Sequence, residues 1–560
     1  MNYNYSNKNT NKAWAPLPEK PVTTKKTTHK TRKAAFMDKV ENTAKYYSNV
    51  SVPTLPENMQ YTSNGAIAYK STGSALLDIN TSIVALRSES DGKVIEMFRK
   101  AYKENPRLAI RWLFYAADVR EGQGERRLFR LCLKDMMNNG GAQIVANLVP
   151  LIPEYSRWDY IYTIMDNPIT NSAVRNLVRS QWKSDMANMK ANKPISLMSK
   201  WLASATSHSK DTRKRGLKTM DMLGLTEREY RKGLSAMRKY LDVVERKMSS
   251  QNWQSINYET VPSKANLNYN KAFLRNDEER RRAYLSALSK GEAKINSSVA
   301  YPSDIVHKYV SDYGWSMRLR SYDATLEGMW KALPNLVTDD SSTIVVADGS
   351  GSMRANVGGT TVTALEVANA LAIYFAERAK GAYKGRYITF SMRPQMVNVN
   401  HDSLYANLKE ASKHNEVANT NLEAVFNLIL DTAIANNSPQ SDLPKNILII
   451  SDGGWDSMVR LNSASRWSYE SEAPAFLKAI EKKYKNAGYE MSKIIYWNVC
   501  GAGNTRNGVP MTKNDYGIMV SGFSANTLKM VLSGKTNPWD ALVDTLLTKR
   551  YDEVEIRAFK

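Results

Sequence analysis

Cysteine is almost missing from this chain. Its 560 residues include two, Cys132 and Cys500. They lie far apart, so they form neither a disulfide framework nor a zinc knuckle. A reducing compartment is the simplest expectation. Histidine is scarce too: His29, His208, His307, His401 and His414 are scattered without the spacing of a metal or catalytic set. No run of eighteen apolar residues and no N-terminal apolar core of a signal peptide is present, so neither a membrane span nor secretion by a cleavable signal is expected, and the cytoplasm is the expected location. Phosphate loops are also lacking. Gly534-Lys535-Thr536 has Lys529 where the first glycine of a P-loop belongs, and Gly122-Gln123-Gly124 has Arg127 where a dinucleotide loop needs its third glycine. Gly349-Ser350-Gly351 lacks the spacing of a nucleophile elbow. No acid/base pair follows from spacing, so no catalytic residue is assigned and an enzyme is not expected.

What the chain does have is positive charge and an adequate apolar content. The net charge is +23, and 42% of residues are hydrophobic. A folded core is therefore expected, and the basic balance favours nucleic acid or another polyanion as partner. Residues 1–55 are rich in Asn, Thr and Lys without periodicity and are expected to form a mobile basic arm. Residues 56–300 carry helical periodicity: Val94, Met97, Phe98 and Ala101 share one face, as do Leu128, Leu131, Cys132 and Met136, and Val174, Leu177, Val178 and Trp182. Asn105 is placed to cap a helix that Pro106 begins. Many helices without strand signals predict an all-α superhelix of irregular, HEAT-like repeats. Residues 301–340 are expected to connect it to the C-terminal part. Residues 341–560 alternate strands, near 344–348, 386–391, 446–451, 493–499 and 517–521, with helices near 363–380, 421–434, 473–487, 525–533 and 538–548. This pattern predicts an α/β doubly wound, mostly parallel sheet.

Two basic clusters fall in the helical part. Arg120-Glu-Gly-Gln-Gly-Glu-Arg-Arg127 is a glycine-bearing turn that enters a helix, with Arg126 and Arg127 where cations oppose the helix dipole. Lys210-Asp-Thr-Arg213-Lys214-Arg215 is the second. Either could face phosphates or be satisfied internally. Trp158, Trp182 and Trp201 are conceivable base-stacking residues, although tryptophans in a helical array more often sit in the core.

The most informative stretch is Ser342 to Met353. Ile344-Val-Val-Ala347 is a short apolar run ending in Asp348-Gly-Ser350-Gly-Ser352. Glycines allow a tight turn at a strand's carboxyl end, so that Asp348, Ser350 and Ser352 converge where open α/β sheets bind ligands. One carboxylate and two hydroxyls suit a hard cation such as Mg²⁺ or Mn²⁺. A second apolar strand ends in Asp452-Gly-Gly, and Thr420 opens an intervening helical pattern. The set Asp348, Ser350, Ser352, Thr420 and Asp452 resembles the metal-ion-dependent adhesion site of von Willebrand factor A domains. The resemblance implies one bound cation with a position open to a partner's carboxylate.

A helical part followed by such a domain resembles the Ro ribonucleoprotein family, whose helical part is called TROVE. The similar phrases include Asp118-Val-Arg-Glu-Gly-Gln-Gly-Glu-Arg126, Ile152-Pro-Glu-Tyr-Ser-Arg-Trp-Asp159 and Leu225-Thr-Glu-Arg-Glu-Tyr-Arg231. This resemblance implies binding of small non-coding or misfolded RNA through the basic helical domain. Arg120, Arg126, Arg127, Lys210, Arg213, Lys214 and Arg215 would be the phosphate contacts, and the C-terminal domain would close a ring or bind a partner. The alternative is a protein-interaction or assembly module, or a structural component of a larger particle, viral ones included, without RNA.

Overall fold

The computed structural model describes residues 56–61, 67–297, 300–313, 317–337, 342–390, 393–414, 422–453, 475–499 and 509–513, and beyond these 515, 517–523, 527, 530 and 535–560. The expected basic arm, the expected helix near 525–533 for the most part, Thr420 and Cys500 lie outside the described residues. Residues 56–560 form one compact unit.

The unit opens with an antiparallel strand pair absent from the sequence expectations, β1 (Met59–Tyr61) and β2 (Ile67–Tyr69). Tyr69 bridges to Val509, so this segment is tied to the far end of the chain. The helices follow: α1 (Ala75–Thr81), α2 (Asp91–Glu104), α3 (Pro106–Ala117), α4 (Arg127–Asn138), α5 (Ala142–Leu148), α6 (Pro168–Lys190), α7 (Lys210–Leu223), α8 (Glu227–Tyr240), α9 (Val244–Ser249), α10 (Ser263–Asn276) and α11 (Glu278–Lys290), with short helical turns between some of them. Local chemistry sets their starts. The Asn105 side chain accepts from Leu108 N at 3.0 Å, and Pro106 occupies the first turn of α3, where its missing N–H costs nothing. Thr226 and Glu229 close a reciprocal capping box on α8. Val94, Phe98 and Ala101 bury one face of α2, while α3 is buried along its whole length, from Leu108 to Ala117.

The expected connector is itself built of regular elements: α12 (Pro302–Tyr309), an antiparallel pair β3 (Val310–Tyr313) and β4 (Met317–Leu319), and α13 (Ala324–Lys331). Short elements flanked by aromatics gave it the look of a joint. Trp330 is buried, and its Nε1–H donates to Glu377 at 2.6 Å.

The sheet then takes shape from β5 (Thr343–Asp348), α14 (Ala364–Arg378), β6 (Arg386–Phe390), β7 (Met396–Asn398), α15 (Leu404–Ser412), α16 (Leu422–Ala435), β8 (Asn446–Ser451), α17 (Ala475–Asn486), β9 (Lys493–Asn498), β10 (Ile518–Ser521), α18 (Pro538–Leu546) and α19 (Asp552–Ala558). Its order is β10-β9-β8-β5-β6-β7, parallel except for the antiparallel edge strand β7. The sheet is thus mixed rather than purely parallel. The central strands β5 and β8 are apolar and buried on both faces, as a parallel sheet covered by helices requires. The three-residue β7 was too short to be read from sequence.

The last helix leaves the sheet and returns to the helical part. On α3, the Arg111 side chain donates through Nε to Glu555 at 2.5 Å, through Nη2 to Asp552 at 2.9 Å and through Nη1 to the Leu546 carbonyl at 3.1 Å. Arg550 pairs with the buried Asp118 at 2.9 Å. Among the described residues no helix is long and apolar enough to cross a membrane.

Candidate functional site

β5 and β8 are neighbours in parallel register, with Ala347 opposite Ile450, so both strands end at the same edge of the sheet. This register brings Asp348 beside Ser451 and Asp452, which are about a hundred residues away in sequence. Asp348 Oδ1 accepts from Ser350 N at 2.8 Å, which holds the turn in shape. Asp348 Oδ2 accepts from the Ser451 hydroxyl at 2.7 Å. The Ser350 and Ser352 hydroxyls lie 3.0 Å apart. Asp348 is 1% exposed, Asp452 5% and Ser350 8%, whereas Ser352 is exposed, so the cluster is buried on one side and opens at Ser352.

Two buried carboxylates side by side are costly. Burial, and then the neighbouring Asp452 charge, push the Asp348 carboxyl up from its ordinary 3.8 to about 7. Such a pair is relieved by a proton or by a cation. The Asp348 carboxylate is held by Ser350 and by the Ser451 hydroxyl. Oxygen-only donors, two of them carboxylates, fit a small hard divalent cation. Gly453 completes the edge with φ of +78°, a left-handed backbone, and a Cβ there would stand 2.7 Å from the Tyr496 hydroxyl.

Four of the five residues expected at this site are therefore brought together, and Thr420 lies outside the described residues. Ser451 was missed. It stands immediately before Asp452 in the sequence, but its role depends on strand register, which one strand's sequence does not disclose.

The basic residues fare differently. Arg127 donates to the carbonyls of Leu86 at 2.8 Å and Glu89 at 2.8 Å, and it pairs with Asp91. A cation at the start of α4 is thereby explained: it caps carbonyls at the end of the preceding helical turn, Ala85–Arg87. Arg120 donates to the Glu154 carbonyl at 2.8 Å. Arg126 is exposed. Gln123 is buried, donating to the Tyr115 hydroxyl at 2.7 Å and to Thr527 at 2.9 Å. Glu125 accepts from Arg87 Nε at 2.8 Å. A Cβ on Gly122 would lie 1.9 Å from the Tyr115 carbonyl oxygen, so this glycine is required by close approach. The turn is a structural joint. Lys210, Arg213, Lys214 and Arg215 are exposed on the first turns of α7, with the Arg215 guanidinium 5.7 Å from the Tyr162 ring centre. Trp158 and Trp182 are buried, Trp182 being stacked on Tyr230 at 5.7 Å, and the Arg157 guanidinium covers Trp201 at 3.8 Å. Two of the three expected stacking residues are thus core tryptophans, and the face of the third is covered by an arginine.

Comparison with known proteins bears on identity. Residues 342–554 match a family described as a domain of unknown function, DUF7788. Residues 62–162 and 196–342 match another, DUF2828, also described as a domain of unknown function. The chain is 27% identical over 530 residues, 87% of each chain, to "Uncharacterized protein L728" of Acanthamoeba polyphaga mimivirus. These matches correct the resemblance drawn above. They are to neither the TROVE nor the von Willebrand factor A family, so the Ro-like ribonucleoprotein identity, with the RNA-binding and HEAT-like labels attached to it, is withdrawn. The motif phrases that suggested it are largely structural, as the 118–127 turn shows. Among the described residues there is also no group of three or more His, Cys, Asp or Glu side chains that could hold a metal ion, which corrects the expectation of a recognised adhesion-type metal centre. What the sheet edge does hold is a pair of carboxylates with hydroxyls. The two matched segments meet at residue 342, at the start of the sheet, so the helical part and connector match one family and the sheet matches the other.

Proposed function

We propose that this protein is a protein-interaction module whose sheet edge docks an acidic group of a partner through a divalent cation, Mg²⁺ or Mn²⁺. Asp348, Ser350, Ser352 and Asp452 would hold the ion. The observation that carries this reading is the buried pair Asp348 and Asp452, whose mutual repulsion a cation relieves, beside the exposed Ser352 hydroxyl. A bound divalent cation with neutral hydroxyls among its ligands supplies an open position for a carboxylate. The chain's own contribution is to orient the donors: Ser350 N and the Ser451 hydroxyl hold both oxygens of Asp348 in place. Docking is the chemistry this reading assigns to the edge.

Calorimetric titration of the full chain with Mg²⁺ tests the reading. Saturable binding that is lost in Asp348→Ala is the expected result. Equal Mg²⁺ affinity in the variant would remove the site. An RNA contact through Arg120, Arg126 and Arg127 is not carried forward, because Arg120 and Arg127 donate to carbonyls of the protein itself and the exposed Arg126 alone makes no phosphate-binding cluster.

A further inference from the structure

Apart from the sheet edge, the helical part contains a groove of about 460 Å³ between α8, α9 and the segment before α7. Its size falls within the range of small-molecule sites, roughly 300–1,000 Å³. Tyr230 and Leu234 of α8 contribute an apolar floor, and both are buried. Four cations line it: Lys200, Arg231, Arg238 and Arg246. Arg231 and Arg238 stand seven residues apart on α8, two helical turns along one face.

One carboxylate, Glu245, belongs to the lining, 3.5 Å from Lys200. Among the described residues no carboxylate lies within ion-pair distance of Arg231, Arg238 or Arg246. Arg238 is half-buried and donates to the carbonyls of Ser199 at 2.8 Å and Leu202 at 2.6 Å. These neutral acceptors hold the guanidinium in position without cancelling its charge. A partly desolvated cation without a counter-charge attracts an anion strongly. Arginine forks favour phosphate oxygens over compact halide-like ions. The Glu245 carboxylate lines the groove and its side chain is 42% exposed, so the groove also offers an acceptor for a donor group.

We infer that this groove binds a phosphorylated small molecule of mononucleotide size that also carries hydroxyl or amino donors, its phosphate held by Arg231, Arg238 and Arg246 and a donor turned to Glu245. Neither matched family assigns a ligand here, and the groove does not involve the sheet edge.

The test is calorimetry on the full chain at low salt in the presence of EDTA, with ADP as probe and adenosine and inorganic phosphate as controls. ADP should bind at least tenfold more tightly than either control. The double variant Arg231→Gln with Arg246→Gln, both exposed and so harmless to folding, should weaken ADP at least tenfold at unchanged melting temperature. Arg238→Met should weaken it further, and circular dichroism would separate any folding defect from lost affinity. Asp348→Asn should leave ADP binding unchanged, which keeps this result independent of the cation site. Adenosine binding as tightly as ADP, or ADP affinity unaltered in the double variant, would overturn the phosphate assignment. Inorganic phosphate binding as tightly as ADP would overturn the assignment to an organic ligand.

Discussion

The turn at 118–127 and the sheet edge at 348–352 are both glycine-punctuated, polar and next to a helix or strand end, yet they end in opposite states. In the turn, polar and charged groups are spent on the protein itself: Glu125 on Arg87, Arg127 on three carbonyls and Asp91, and the neutral Gln123 on Tyr115 and Thr527. At the edge, two carboxylates of the same sign are pressed together in a buried place, and an exposed hydroxyl faces outward. A motif dense in charge is thus not a site in itself. What distinguishes the two is the sign of the close neighbours: opposite charges meet in the turn, whereas two carboxylates meet at the edge, where burial makes their repulsion costly.

The sharpest way to break this comparison is to unpair the turn. Glu125→Ala leaves Arg87 without its partner in a site where the two side chains are 18% and 7% exposed, and it should cost about 3–5 kcal/mol of unfolding free energy in a urea titration. A loss under about 1 kcal/mol would mean that the pair is not the internal commitment described here.

The complementary manipulation loads the edge. Mg²⁺ at a hundredfold excess over its dissociation constant should stabilise the native chain by about 2.7 kcal/mol, measured as a shift in the denaturation midpoint, and Asp348→Asn should lose that gain. A variant that responds to Mg²⁺ as the native chain does would place the ion elsewhere.

Packing at the turn comes next. Gly122→Ala drives a methyl group against the Tyr115 carbonyl and should destabilise by about 1–3 kcal/mol. The edge then offers a pH test in chelator. In the folded state the Asp348 carboxyl keeps its proton up to about 7, and its ordinary value is 3.8. An acid whose folded value is raised binds its proton more tightly when folded, so its contribution is fully present below about 4 and is lost as pH climbs to about 7. Relative to Asp348→Asn, the native chain should therefore become less stable across that window, and a flat difference between the two would contradict the buried carboxylate pair. The smallest effect belongs to the groove: Arg231→Gln and Arg246→Gln should each change stability by less than about 0.5 kcal/mol, since both side chains are exposed. A larger loss would show that these arginines hold the fold together, as those of the turn do.

Much of the architecture is written locally. The β-branched run Ile344-Val-Val, the apolar Ile447-Leu-Ile-Ile and the cap at Asn105 depend on side-chain shape and on hydrogen bonds a few residues away, so strands β5 and β8 and helix α3 were readable before any packing was known. The proximity of Asp348, Ser350 and Ser352 was readable too, because they alternate within five residues at a strand end, where Ser350 N–H donates back to Asp348. Tertiary structure decided the rest. Ser451 joined Asp348 only through parallel register, and the β1–β2 strand pair bridges to Val509 from the opposite end of the chain. The fate of Arg127 depended on which carbonyls and which carboxylate the fold brought within reach. The charge of Arg238 stayed uncompensated because Ser199 and Leu202 offered it carbonyls. Sequence determines which groups carry charge and where the chain turns, while long-range packing decides which charges meet, and that pairing separates a joint from a site.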